Sequence, residues 1–236
     1  MSDREDENRR DQLTTVLKYQ GAVAAEGHLT EIAHTEGDEA VMRVAQHMSA
    51  TEVAQVTSEA DVVKPSLLHT AITPEQFSGV FRRVGVRWSA AEQEDCPLET
   101  LREFQEELKQ FFCAFILLNE GEVRRNELMR VVLDEQNGIE ALVFSFVHEK
   151  DLPEFIATDG AMSDHGDWRE VLNVLHYSFA DEWRKFKMLV PQDYNGRHYN
   201  NFIHDVAAGI YATAVSEGVA KRQEVEKVDD LFTPLE

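Results

Sequence analysis

Apolar residues return every three to four positions along most of the 236-residue chain, the spacing that turns one face of an α-helix toward a core. The clearest run is Leu98, Leu101, Phe104, Leu108, Phe111, Phe112 and Phe115, with Glu99, Glu103, Glu106, Glu107 and Lys109 on the other face and Gly121 at its end. A second run opens at Asp167, an acidic cap, continues through Trp168, Val171, Leu172, Leu175, Phe179, Trp183, Phe186 and Leu189, and stops at Pro191. Arg184, Lys185 and Lys187 give its last turns the positive charge that a helix C-terminus favours. A third helix is predicted over 199–220, with Phe202, Ile203, Val206, Ile210, Ala214 and Val215 on one stripe. Shorter helices are predicted over 12–19, 38–48, 74–84 and 122–135. Thr73-Pro74-Glu75-Gln76 combines an N-cap, a first-turn proline and a third-position Gln, and Ser49 with Glu52 forms a similar capping box.

Residues 138–147 (Gly-Ile-Glu-Ala-Leu-Val-Phe-Ser-Phe-Val) follow an Asn-Gly break and show no clear period. A short apolar run of this kind suits a buried helix or a strand. The segment is assigned as helix, with a strand as the open alternative and 84–88 as its partner in a small β-hairpin. The expected fold class is therefore mainly α: a multi-helix, bundle-like body with an N-terminal helical arm.

The aromatic residues divide the chain. Nineteen of the twenty-one Phe, Trp and Tyr lie between Phe77 and Tyr211, whereas Tyr19 stands alone before them. Large rings each bury about 150–250 Å², so residues 71–220 are expected to hold the core domain. Residues 1–70, rich in small apolar side chains that bury less area, form the expected arm, and 221–236 form an acidic tail.

Composition narrows the function classes. Forty-four acidic residues against twenty-three basic ones give a formal charge of −21, which argues against direct nucleic-acid binding, since such proteins neutralise phosphates with Lys and Arg. The surplus is spread along the chain, with net charges of −8 over 1–76, −11 over 77–220 and −2 over 221–236. No apolar run approaches the ~20 residues of a membrane-spanning helix. The charged opening, residues 1–7, is unlike a secretory signal or a transit peptide, so the cytoplasm is the expected location. Cys96 and Cys113 are the only cysteines, consistent with a reducing compartment. Cys113 lies on the apolar stripe as a core thiol, and Cys96 lacks a basic neighbour to activate it.

Three constellations could carry chemistry. His204-Asp205, within 202–209, resembles the central motif of the HD-domain metal-dependent phosphohydrolases. That resemblance implies a divalent metal held by His204 and Asp205, with His176 as the earlier ligand and Asp229 as the nearest later carboxylate. Otherwise His204 and Asp205 flank a packing stripe. Arg169 and His176, seven apart on one predicted helix, resemble the Arg–His pattern of HEPN ribonucleases, which implies His176 as general base and Arg169 as phosphate stabiliser. The intervening Glu170 would repel an RNA phosphate. His28, Glu31, His34 and His47 include one Glu-x-x-His spacing but no second copy, and are expected to be solvated histidines. No phosphate loop, Gly-x-Ser-x-Gly elbow or His-Glu-x-x-His motif occurs. Arg82, Arg83 and Arg87, and Arg124, Arg125 and Arg130, make small basic islands expected to pair with nearby carboxylates.

The leading expectation is an acidic helical interaction protein: a subunit, adaptor or inhibitor that needs no cofactor and meets protein partners with a basic surface, its anionic face resembling that of a nucleic acid. Catalysis by His176, His204 and Asp205 belongs to the alternative, a metal-dependent hydrolase or a ribonuclease.

Overall fold

A helix that is apolar on every side can exist only inside other elements, and the centre of this protein holds one such helix and half of another. The computed structural model describes residues 3–57, 64–86, 98–160, 167–191 and 197–216, all as helices and their connections. Helices α1 (Asp3–Gln20), α2 (Ala22–Glu36), α3 (Asp38–Gln46), α4 (Ala50–Thr57) and α5 (Leu68–Ala71) come first, followed by α6 (Pro74–Val86). The central pair is α7 (Leu98–Leu117) and, beyond α8 (Glu122–Asp134), α9 (Gly138–Phe146). The chain continues through α10 (Leu152–Ala157), α11 (Trp168–Ser178), α12 (Ala180–Leu189) and α13 (Arg197–Ser216).

In α9 every residue from Ala141 to Phe146 is buried, and in α7 the same holds from Phe111 to Ile116. The two pack along their length, with the rings of Phe104 and Phe144 at 5.2 Å and those of Phe112 and Phe146 at 6.3 Å. Phe77 of α6 stacks on Phe111 at 5.3 Å. On the far side Phe146 meets Trp168, Trp168 meets Phe155, and Phe155 meets Trp183 at 6.2, 5.5 and 6.1 Å. These separations lie in the range where ring pairs add to area burial. The buried residues from Leu13 to Ile210 form one contiguous cluster.

Burial of every residue from Ala141 to Val147 explains why the segment lacked a clear period. The strand alternative does not hold: Gly138–Phe146 is helix, Val84 lies inside α6, and no strand occurs among the described residues. Gly138 is required where α9 begins, because a Cβ there would stand 1.8 Å from the Val132 carbonyl oxygen of α8. The predicted helix over 167–191 is two helices. Phe179, at φ −136° and ψ 66°, ends α11 and starts α12, which lets α11 pack on α7 and α8 while α12 packs on α9. Helix α1 begins nine residues earlier than the apolar stripe predicts. Its buried line continues from Leu13 back to Asp6, which lies 3.3 Å from both Arg9 and Arg43, so the stripe carries on in ion pairs where apolar residues stop. The predicted third helix runs from Arg197 to Ser216; residues 217–220, the tail at 221–236, Asp229 and Cys96 lie outside the described residues.

Both predicted capping boxes form, and both reach further than capping. The Ser49 N–H donates to Glu52 at 2.7 Å and the Glu52 N–H to the Ser49 hydroxyl at 3.3 Å. The same carboxylate accepts from Thr14 and Arg10 of α1 at 2.6 and 2.9 Å. Burial would raise the Glu52 pKa, but the bonds from Thr14, Ser49 and Arg10 outweigh it and hold the carboxyl below its usual 4.5. In the second box the Thr73 N–H donates to Gln76 and the Gln76 N–H to the Thr73 hydroxyl. The buried Gln76 amide also donates to the Ala45 and Met48 carbonyls, each at 2.6 Å, closing the end of α3.

Gln76→Leu therefore removes a cap and leaves the Met48 carbonyl without its donor, while Ala45 keeps the Met48 N–H, an expected loss of about 1–3 kcal/mol. Urea unfolding followed by far-ultraviolet circular dichroism checks it, the midpoint falling with the slope unchanged.

Candidate functional site

Three arginines of the predicted basic islands, Arg82, Arg124 and Arg125, are paired within the molecule, while Arg130 is exposed with its guanidinium 5.1 Å over the Phe179 ring and Arg87 lies outside the described residues. Arg82 grips Glu135 through Nε and Nη2 at about 3.0 Å. Arg124 pairs with Glu127 at 2.6 Å and also donates to the Ile72 carbonyl. Arg125 donates to the carbonyls of Asn119 and Leu117, at 2.8 and 3.2 Å, and pairs with Glu170. Those two carbonyls follow from the C-terminus of α7, where a helix leaves acceptors unfilled.

The residues singled out for catalysis occupy separate places. Arg169 is taken by Asp151 at 2.8 Å and by Asp167 at 2.5 Å, and its guanidinium lies 5.0 Å over Trp168. Asp167 is the predicted N-cap of α11, accepting from the Arg169 N–H at 2.9 Å. His176, two turns later, packs its ring 5.3 Å from Trp183. Its Nδ1 is buried without a hydrogen bond, as is the neighbouring Asn173 Oδ1, and both face Gly160. His204 is half-buried on α13 and Asp205 is exposed. Among the described residues no three His, Cys, Asp or Glu side chains gather as a metal-holding group, His176, His204 and Asp205 included. Glu31 and His34 are exposed on α2, with His28 half-buried 3.9 Å from Glu31. Cys113 is buried, and burial pushes its thiol up to about 12, where it stays protonated and unreactive. No helix is long and apolar enough to cross a membrane among the described residues.

A different group of side chains does converge. Leu98, Arg102 and Gln105 fall on one face of α7, Tyr199, Asn200 and Ile203 on the first turns of α13, and His148 just past the end of α9; together they line a cleft of about 140 Å³. Gln105 stands at an apolar stripe position between Leu101 and Leu108 and is 3% exposed. Its Nε2 donates to the Phe144 carbonyl at 2.9 Å. That carbonyl belongs to the last turn of α9 and has no partner further along the helix. The donor end of the amide is thereby fixed on α9, and Oε1 is left buried without a partner.

On the cleft rim the hydroxyl of buried Tyr199 lies 3.0 Å from Nδ1 and 2.5 Å from Nε2 of His148. Partial burial, with Arg102 and Lys109 as positive neighbours, lowers the His148 pKa below 6.5, so the ring is neutral at pH 7. Lys109 is neutralised locally by Glu106 and Glu149 at 2.6 and 2.9 Å. Arg102 is exposed and has no ion pair among the described residues. The cleft thus offers one cation, a neutral imidazole bonded to a phenol, and an apolar side from Leu98 and Ile203, groups suited to holding a ligand.

Sequence reasoning passed over Arg102, Gln105 and His148. One signal was present: a Gln at a core position of the best-defined stripe, which a buried helix tolerates only with a bonded partner. Compared with protein-family models, curated proteins and solved structures, the chain matches none.

A histidine whose pKa falls on folding binds fewer protons folded than unfolded, so stability is unaffected above 6.5 and declines as pH drops below it, levelling off under the folded pKa. His148→Gln is expected to reduce that decline while leaving stability at pH 8 nearly unchanged. Urea titrations across pH 4.5–8, run side by side, check it.

Proposed function

We propose that the protein is an acidic helical binding protein, a subunit, adaptor or inhibitor that engages the basic surface of a protein partner. The observation that carries this reading is where the positive charge goes. Arg9, Arg10, Arg43, Arg82, Arg125 and Arg169 are each paired with carboxylates of the same chain. Asp38, Glu39, Glu99, Glu103, Glu120 and Glu122 are exposed with no ion pair among the described residues. In the first turns of α3, α7 and α8 some of these carboxylates also complement the helix dipole. That local role leaves their charge facing solvent.

A surface with this many unpaired carboxylates raises the encounter rate with a basic partner and repels an acidic one. It equally disfavours a nucleic-acid ligand, whose backbone would meet like charge. The carboxylates resemble a nucleic acid in charge, and the natural occupants of such a face are proteins rich in Lys and Arg.

The test is capture of partners on the whole protein at low and at high salt, alongside a variant with Asp38, Glu39, Glu120 and Glu122 changed to Asn or Gln. Expected are partners rich in Lys and Arg, released by salt and captured several-fold less by the variant. Partners held equally by the variant and in high salt, or none at low salt, overturn the reading.

A further inference from the structure

Helix α1 is joined to α2 by a single residue. Gly21 stands at φ 88° and ψ 179°, a backbone conformation that essentially only glycine adopts. On either side the helical ladder runs up to the joint: the Gly21 N–H donates to the Leu17 carbonyl and the Ala25 N–H to the Gly21 carbonyl, each at 3.1 Å. We propose that Gly21 is a hinge through which two copies of this chain exchange α1. In the exchanged pair α1 and α2 fuse into one helix, and the α1 of each copy packs on α2, α3 and α4 of the other.

The bend is weakly held by its own residues. Gly21 offers no side chain to cap α2, and the N–H groups of Ala22, Val23 and Ala24 have no backbone acceptor. A continuous helix would give them the carbonyls of Lys18, Tyr19 and Gln20, so straightening the joint supplies three bonds. A Cβ at Gly21 would meet nothing within 4 Å, so no packing contact fixes the turn either. Short hinges under local constraint invite identical chains to trade an element.

What α1 gives up in its own chain it regains in the other copy. It is a polar helix, with five acids and four bases among its 18 residues, and the residues it buries are Asp6, Leu13 and Leu17. Much of its hold is ionic: Arg9 pairs with Glu36 of α2 at 2.7 Å, Asp6 with Arg43 of α3 at 3.3 Å, and Arg10 with Glu52 of α4 at 2.8 Å. None of these contacts depends on the connection through Gly21. Leu17 and Ala25 stand four residues to either side of it, and Leu13 and Leu29 eight. Two fused helices lying antiparallel, with their Gly21 residues level, keep that register between chains. Tyr19 and Val23, 74% and 72% exposed beside the hinge, then lie close to the twofold axis, Tyr19 of one copy level with Val23 of the second. Apolar side chains that the single chain leaves in water are thereby brought to the centre of the pair.

A charge of −21 on each chain opposes this approach. Exchange is therefore favoured by high concentration and by salt, whereas capture of a basic partner is weakened by salt. The inference stands on the hinge and is independent of the outward carboxylates.

Light scattering of the full chain after gel filtration, over a range of concentrations at low and high salt, follows the exchange. Expected is a dimer whose share rises with both. Alanine at position 21 is disfavoured in the bend by its torsion and favoured in a helix, in both chains of a pair. Gly21→Ala should therefore tighten the dimer roughly hundredfold while helix content by circular dichroism is kept. Lengthening the hinge from Gly21 to Gly-Gly-Ser-Gly-Gly should return the chain to a monomer. Two further variants identify exchange as the cause. Arg9→Glu and Glu36→Arg each set like charges against one another within a chain, whereas an exchanged pair made of one of each restores both ion pairs. Native mass spectrometry of their equimolar mixture should show the heterodimer far above its random share. A monomeric Gly21→Ala protein, or a dimer that the lengthened hinge leaves undiminished, overturns the hinge. Heterodimer and homodimers in random proportion overturn the exchange of α1 and leave side-by-side association in its place.

Discussion

The rest of the structure depends on burying α9, a helix with no polar side, together with the second half of α7. Neither can face water, so α6, α8, α11, α12 and α13 are arranged around them, and the ring contacts from Phe77 through Phe111, Phe112, Phe146 and Trp168 to Trp183 record that wrapping. Burying helices has a second cost. Their ends leave backbone carbonyls that water cannot reach. In this molecule side chains reach over from neighbouring elements to fill them: Arg125 and Asn119 beyond α7, Gln76 at the end of α3, Gln105 at the end of α9. The polar network is a consequence of the apolar centre.

The candidate binding cleft follows from the same requirement. Gln105 occupies a core position because the last turn of α9 needs a donor, and an amide that gives its nitrogen must leave its oxygen somewhere. Tyr199, His148 and Arg102 line the neighbouring cleft, while the oxygen itself is enclosed.

Helices with a polar face were legible from spacing alone. The capping boxes at Ser49 and Thr73 were legible too, because their residue types have few other uses in that pattern. What spacing could not resolve was structure made by burial on all sides or by charge at a core position. Residues 138–147 had no period since every face is inside, and the first turns of α1 had no apolar stripe since Asp6, Arg9 and Arg43 take its place. The break at Phe179 was hidden because the apolar residues continue across it while their packing partners change. The cleft combines residues from positions about 100 apart, and only the misplaced Gln105 announced any part of it. His204-Asp205 and Arg169…His176, by contrast, were legible as motifs, and their surroundings supply other employment: Arg169 fastens the start of α11, and His176 packs on Trp183.

Charge and core are linked through the same economy of arginines. Each Arg that caps a helix end or pairs with a buried carboxylate is withdrawn from the surface, so the more the fold relies on them, the more negative its exterior becomes. A net charge of −21 opposes compaction by self-repulsion, and that repulsion is set against apolar burial, which grows with the size of the side chains enclosed. An interior this rich in Phe and Trp can offset that repulsion while several arginines are held in ion pairs and many carboxylates face solvent. Salt acts on the two sides unequally: it screens the outward carboxylates within a Debye length but barely touches the pairs around Asp6 and Glu52. Added salt should therefore strengthen the fold and, at the same time, weaken its grip on a basic partner.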